Sequence, residues 1–111
     1  MTVKELIEKL SLKIVAGEEG INKEVKGGFT GDLLSVVMGN AKEGQVWVTI
    51  QSHINIVAVA VLTNIACIIV TEGFEIDQDA IIKANEEDIS ILVSNKSSYD
   101  MIKELIEIGI G

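Results

Sequence analysis

The densest group of polar side chains with chemical capacity is Gln51-Ser52-His53 followed by Asn55, and it holds the single histidine of the chain. An imidazole beside a hydroxyl and two carboxamides can bind a ligand through hydrogen bonds, or exchange a proton as a general acid or base. Nucleophilic catalysis needs more than this. Ser52 and His53 are adjacent, and neither an orienting acid nor an oxyanion hole is recognisable. If a helix opens here, Ser52 is also a favoured cap and His53 a solvated first-turn residue, so a structural role stands beside the ligand-binding one. A second candidate is Gly27-Gly28-Phe29-Thr30-Gly31-Asp32. A glycine-rich strand-to-helix turn can cradle an anion on free N–H groups. Yet the chain has neither G-x-G-x-x-G nor a P-loop with G-K-[ST], and Asp32 would repel an anion. The local pattern gives Asp32 the role of capping a helix from Leu33 to about Met38, which Gly39-Asn40 stops.

Other chemistry is sparse. Glu72, Glu75, Asp77 and Asp79 form an acidic run without calcium-loop spacing, and acids at a helix start commonly serve the helix dipole, so no metal site is expected. Nor is a cofactor expected. Cys67 lies inside an apolar run and reads as a buried thiol; alone, it permits no disulfide within one chain, which fits a reducing cytoplasm. Trp47 alternates with Val46 and Val48 as a core strand aromatic does. The net charge is -8, and all nine bases are lysines, which argues against nucleic acid as a partner. Lys4, Glu5, Glu8 and Lys9 break up the first ten residues, so no signal peptide is expected. The run Ile54 to Val70 is short and interrupted by Asn55, Thr63 and Asn64, which argues against a membrane span. At 111 residues and 48% apolar composition, the expectation is one domain, residues 1–111.

The elements that must position these groups are organised around Val46 to Gly73, a strand-helix-strand unit. Ala66 to Val70 is apolar throughout and reads as a central parallel strand covered on both faces. The helix between the strands is apolar around nearly its whole circumference from Ile54 to Leu62. Its outer side needs a cover, either the rest of the chain or a second copy, and a homodimer through this helix is the expectation. Strands near Val46, Cys67 and Ser90 are each followed by a helix: His53 to Thr63, Asp77 to Glu86, and Ser98 to Ile108. This alternation predicts parallel strands joined by crossover helices. Earlier in the chain, Thr2 and Glu5 form a capping box for a first helix, and strands at Leu12 to Ala16 and Glu24 to Phe29 are open to pairing as an edge hairpin. The fold expected is three-layer α/β, with a mostly parallel central sheet and helices on both faces. Ligands of such sheets bind outside the carboxyl ends of the strands. Three polar turns fall there: Gln51-Ser52-His53, Thr71-Glu72-Gly73 and Ser94-Asn95-Lys96-Ser97, with Phe29 to Asp32 as a fourth contributor. The ligand-binding candidates are therefore Thr30, Asp32, Ser52, His53, Asn55 and Thr71.

The order LKIVAGEEGINKEVKGGFTGDLLS, EGQVWVTIQSHINIVAVAVLTNIACIIVTEG and ISILVSNKSSYDMIKEL resembles the DRTGG domain over nearly the whole chain. That domain is similar to the N-terminal domain of HPr kinase/phosphorylase, and it also occurs in certain phosphotransacetylases and beside CBS domains in regulatory pyrophosphatases. The resemblance implies a non-catalytic, regulatory and often dimerising module. Thr71-Glu72-Gly73 resembles the family's Thr-Gly-Gly turn with Glu72 substituted, whereas Gln51-Ser52-His53 replaces a Gly-Asp-Arg-like turn. The kinase chemistry of HPr kinase belongs to a separate P-loop domain that this sequence lacks. The reading that results is a cytoplasmic regulatory domain sensing a small metabolite or nucleotide. A docking module for a redox or signalling protein, and a small enzyme using His53, are the alternatives.

Overall fold

The computed structural model describes every residue from Met1 to Gly111. Its elements run α1 (Val3–Leu10), β1 (Lys13–Ala16), β2 (Gly27–Thr30), α2 (Leu34–Asn40), β3 (Gln45–Thr49), α3 (Asn55–Thr63), β4 (Cys67–Val70), α4 (Gln78–Glu87), β5 (Ser90–Val93) and α5 (Ser98–Glu107), with one 3-10 turn at Glu18–Gly20. Several ends follow from local chemistry. Thr2 and Glu5 cap α1 reciprocally, and the hydrogen bonds from Thr2 hold the Glu5 carboxyl below its usual pKa. The Ser97 hydroxyl accepts from Asp100 N–H at 3.1 Å to open α5, in the Ser-x-x-Asp spacing that locally favours a capped helix start. Asn64, in the left-handed region at φ 54°, closes α3.

The five strands form one sheet in the order β1-β5-β4-β3-β2, parallel throughout except for β1, which runs antiparallel to β5. Ala-free and fully buried, Cys67–Val70 lies at the centre, as its unbroken apolar run predicts. Alternate side chains feed two cores. Val46, Val48, Cys67, Ile69 and Leu92 meet α1 and α5; Trp47, Ile68, Val70 and Ile91 meet α2, α3 and α4. The result is the expected three-layer arrangement.

The edge hairpin does not form. β1 and β2 lie on opposite edges of the sheet, with three strands between them. Ten residues, Gly17 to Lys26, connect them, and at roughly 3.3 Å per residue they can span about 33 Å, more than the ~19 Å width of four strand spacings. The segment is held on its way by the N-terminus: Val3 N–H donates to Lys23 O and Val25 N–H to Met1 O. Gly17 makes this exit feasible. Its φ is 72°, and an added Cβ would lie 1.9 Å from the Ile89 carbonyl oxygen.

α3 packs against the sheet between α2 and α4. Ile56, Val57, Val59 and Ala60 are buried, but Val61 is 43% and Leu62 70% exposed. The two neighbouring helices therefore cover its flanks and leave an apolar outer ridge uncovered.

Candidate functional site

The parallel strands β2 to β5 place their carboxyl ends along one edge, and each is followed by a polar loop. At the β2–β3 end, Asp32 ties two loops together. Its Oδ1 accepts from the Thr49 hydroxyl at 2.8 Å and from Ile50 N–H at 3.0 Å, while its carbonyl accepts from Gln51 Nε2 at 2.8 Å. The capping role expected for Asp32 is thus not observed: Leu33 occupies the N-cap of α2, and no side chain bonds to it. Thr49 is fully buried, and the Asp32 carboxylate satisfies its hydroxyl, a stronger claim on the carboxylate than an exposed cap.

The Ser52-His53 turn also differs from its expected form. α3 begins at Asn55, two residues later than expected, and Ser52 does not cap it. Instead, His53 Nδ1 accepts from Asn55 N–H at 3.2 Å. In neutral imidazole that bond assigns the proton to Nε2, so the exposed ring presents a donor to whatever approaches. Ser52 is half-buried, and its carbonyl accepts from Asp77 N–H at 3.1 Å, which ties this turn to the start of α4.

Thr71 lies at the end of β4, fully buried. Its hydroxyl is 2.6 Å from Ser98 Oγ, and Glu72 Oε2 accepts from Ser98 N–H at 3.2 Å. The turn Glu72-Gly73 has both residues at positive φ, 65° and 73°, and is fastened to the loop after β5 through Glu72 N–H to Lys96 O and Gly73 N–H to Ser94 O.

The six candidates therefore fall into two groups. Asp32, Ser52, His53 and Asn55 sit at the ends of β2 and β3 and the start of α3. Thr71 contacts Ser98 of α5, and Thr30 lines a groove with Ile102, Leu105 and Ile106 of α5, on the other face of the sheet. Thr30 also spends its hydroxyl on Val48 O at 3.1 Å. No cluster of metal-ligating side chains occurs.

The largest concavity, about 670 Å³, opens farther along the same edge. It lies between the start of β1 and the loops after β4 and β5, and Lys13, Phe74, Asn95 and Lys96 line it. None of the six candidates does. Of these four, the sequence signals only Asn95 and Lys96, through their strand-end turn; Lys13 joins them because β1 runs antiparallel, which brings its first residue to the carboxyl end of β5.

Comparison with solved structures finds the same fold in the CBS and DRTGG domains of the regulatory region of Clostridium perfringens pyrophosphatase complexed with the activator diadenosine tetraphosphate. The TM-score is 0.75 at 16% identity, over 95% of this chain and 46% of that one, so the chain spans about half the length of that structure. Among curated proteins, nothing matches the sequence. The family model of the DRTGG domain matches residues 5–108, nearly the entire length. With sheet and helices in agreement with that match, the chain belongs to the DRTGG domain family.

Proposed function

We propose that this protein is a ligand-sensing regulatory domain of a reducing cytoplasm, acting without catalysis of its own and as a homodimer. It takes a small metabolite or nucleotide at the carboxyl edge of its sheet, with Thr30, Asp32, Ser52, His53, Asn55 and Thr71 as the candidate contacts. The observation that carries the reading is the construction of that edge. Four loops are laced to one another by Asp32 with Gln51, by the bond from Asp77 N–H to Ser52 O, and by Glu72 with the Ser94–Ser98 turn, so a ligand bound to one loop changes the stability of the others. His53 supplies an exposed donor, and no carboxylate is hydrogen-bonded to its ring to support acid–base work. The nucleotide activator in the pyrophosphatase regulatory region supports the ligand class.

The exposed apolar side chains of α3 and α2 support the dimer. Leu62 and Val61, with Leu33, Val36 and Met38 from the neighbouring helix, are large apolar side chains in solvent. The same residues favour a second reading, a docking module for a signalling or redox protein. A thermal-shift screen against adenine and guanine nucleotides, sugar phosphates, acyl phosphates and divalent cations tests sensing. Binding to the folded state alone raises stability by about 2.7 kcal/mol at a hundredfold excess over Kd. The expected result is a hit abolished by Ser52→Ala with His53→Ala; a blank across the screen supports docking instead.

A further inference from the structure

The 670 Å³ cleft beside β1 has the dimensions of a small-molecule site and a division of polarity that the Ser52–Asn55 corner lacks. Its wall is apolar where Val15, Ile76, Ile81 and Val93 approach from β1, the β4–α4 loop, α4 and β5. Phe74, an aromatic side chain 49% exposed, also lines the cleft. Lys13 brings a cation with no carboxylate within ion-pairing distance and no hydrogen bond, whereas Lys96 is paired with Glu104 of α5. The Asn95 carboxamide has no protein partner, and neither do the backbone N–H groups of Phe74, Glu75 and Asn95. An aromatic face, a free ammonium group and a set of unused donors around an apolar wall together suit a planar ring that carries an anion.

We propose that this cleft binds a planar heteroaromatic ring bearing a phosphate monoester, a ligand of the nucleoside monophosphate type. The ring stacks on Phe74 against the apolar wall, and the phosphate meets Lys13 and the Asn95 amide. Charge limits the class. Glu75 lines the same cleft as the one free lysine, and the chain carries a net charge of -8, so a triphosphate would meet repulsion that a monoester largely escapes. The proposal goes beyond the sensing role at the Ser52–Asn55 corner, and each can fail without the other.

Amide chemical shifts of the full chain, titrated separately with adenosine 5′-monophosphate, adenosine and inorganic phosphate, test it. The expected result is saturable movement of Ser11, Lys13, Gly73, Phe74 and Asn95 with the monophosphate, and weaker movement with either fragment alone. Lys13→Gln should weaken the monophosphate about tenfold while leaving adenosine unchanged, the signature of one lost charge-assisted contact. Phe74→Ala should weaken both. Movement confined to Ser52, His53 and Asn55 would uphold the corner and overturn the cleft. Equal binding by wild type and Lys13→Gln, or no movement at the cleft, would overturn it as well.

Discussion

Cys67 shows how far a residue's surroundings alter its chemistry. Wholly buried in the central strand, its thiol is pushed up to about 12 by desolvation. The unfolded thiol ionises near 8.5. Below that pH it is neutral in both states and contributes no pH dependence. Between about 9 and 12 the unfolded chain releases a proton that the folded one keeps, so stability falls as pH rises, by up to about 1.4 kcal/mol per unit from this group. Urea unfolding of wild type and Cys67→Val across pH 8 to 11 should therefore show a steeper alkaline loss for wild type; parallel curves would contradict it. Asp32 carries the complementary lesson. Its position before a helix reads as a cap, but a fully buried hydroxyl from a strand seventeen positions away takes the carboxylate. No local pattern encodes that contact.

Among the connecting elements, the Glu72-Gly73 turn holds two consecutive residues at positive φ. A residue with a side chain at φ 65° sits in a region that costs roughly 1 kcal/mol for anything but glycine. Against that, Glu72 sets a carboxylate on the first N–H of α5, an arrangement the helix dipole favours. Glu72→Ala keeps the strain and loses the contact; Glu72→Gly loses both. Thermal unfolding should thus place the glycine variant above the alanine variant by about 1 kcal/mol. An alanine variant as stable as the glycine one would show that the turn is not under strain. The family-like Thr-Gly-Gly pattern made this turn legible in the sequence, but not the contact between Glu72 and Ser98.

At the scale of the whole molecule, helices cover both faces of the sheet, yet the ridge of α3 stays open. Leu62 is 70% and Val61 43% exposed, on a helix that buries Ile56, Val57, Val59 and Ala60. Light scattering at micromolar concentration should give a dimer, and Leu62→Glu should give a monomer with unchanged circular dichroism, because an exposed side chain can be charged without cost to the core. A wild-type monomer would remove the dimer from the functional reading.

The sequence by itself determined the fold class, the central position of Cys67–Val70, the capping of α1 and α5, and the carboxyl edge as a place where polar loops gather. These rest on signals within about ten residues: an unbroken apolar run, a Thr-x-x-Glu box, the alternation of strand and helix. Tertiary structure alone decided the strand order and the composition of the edge. The pairing of β1 with β5 rather than β2 joins residues some eighty positions apart. In that place Ile14 packs against one core and Val15 against the other, a long-range arrangement that no local preference encodes. That same choice brought Lys13 beside Phe74 and Asn95, and so built a cleft that no stretch of the sequence contains.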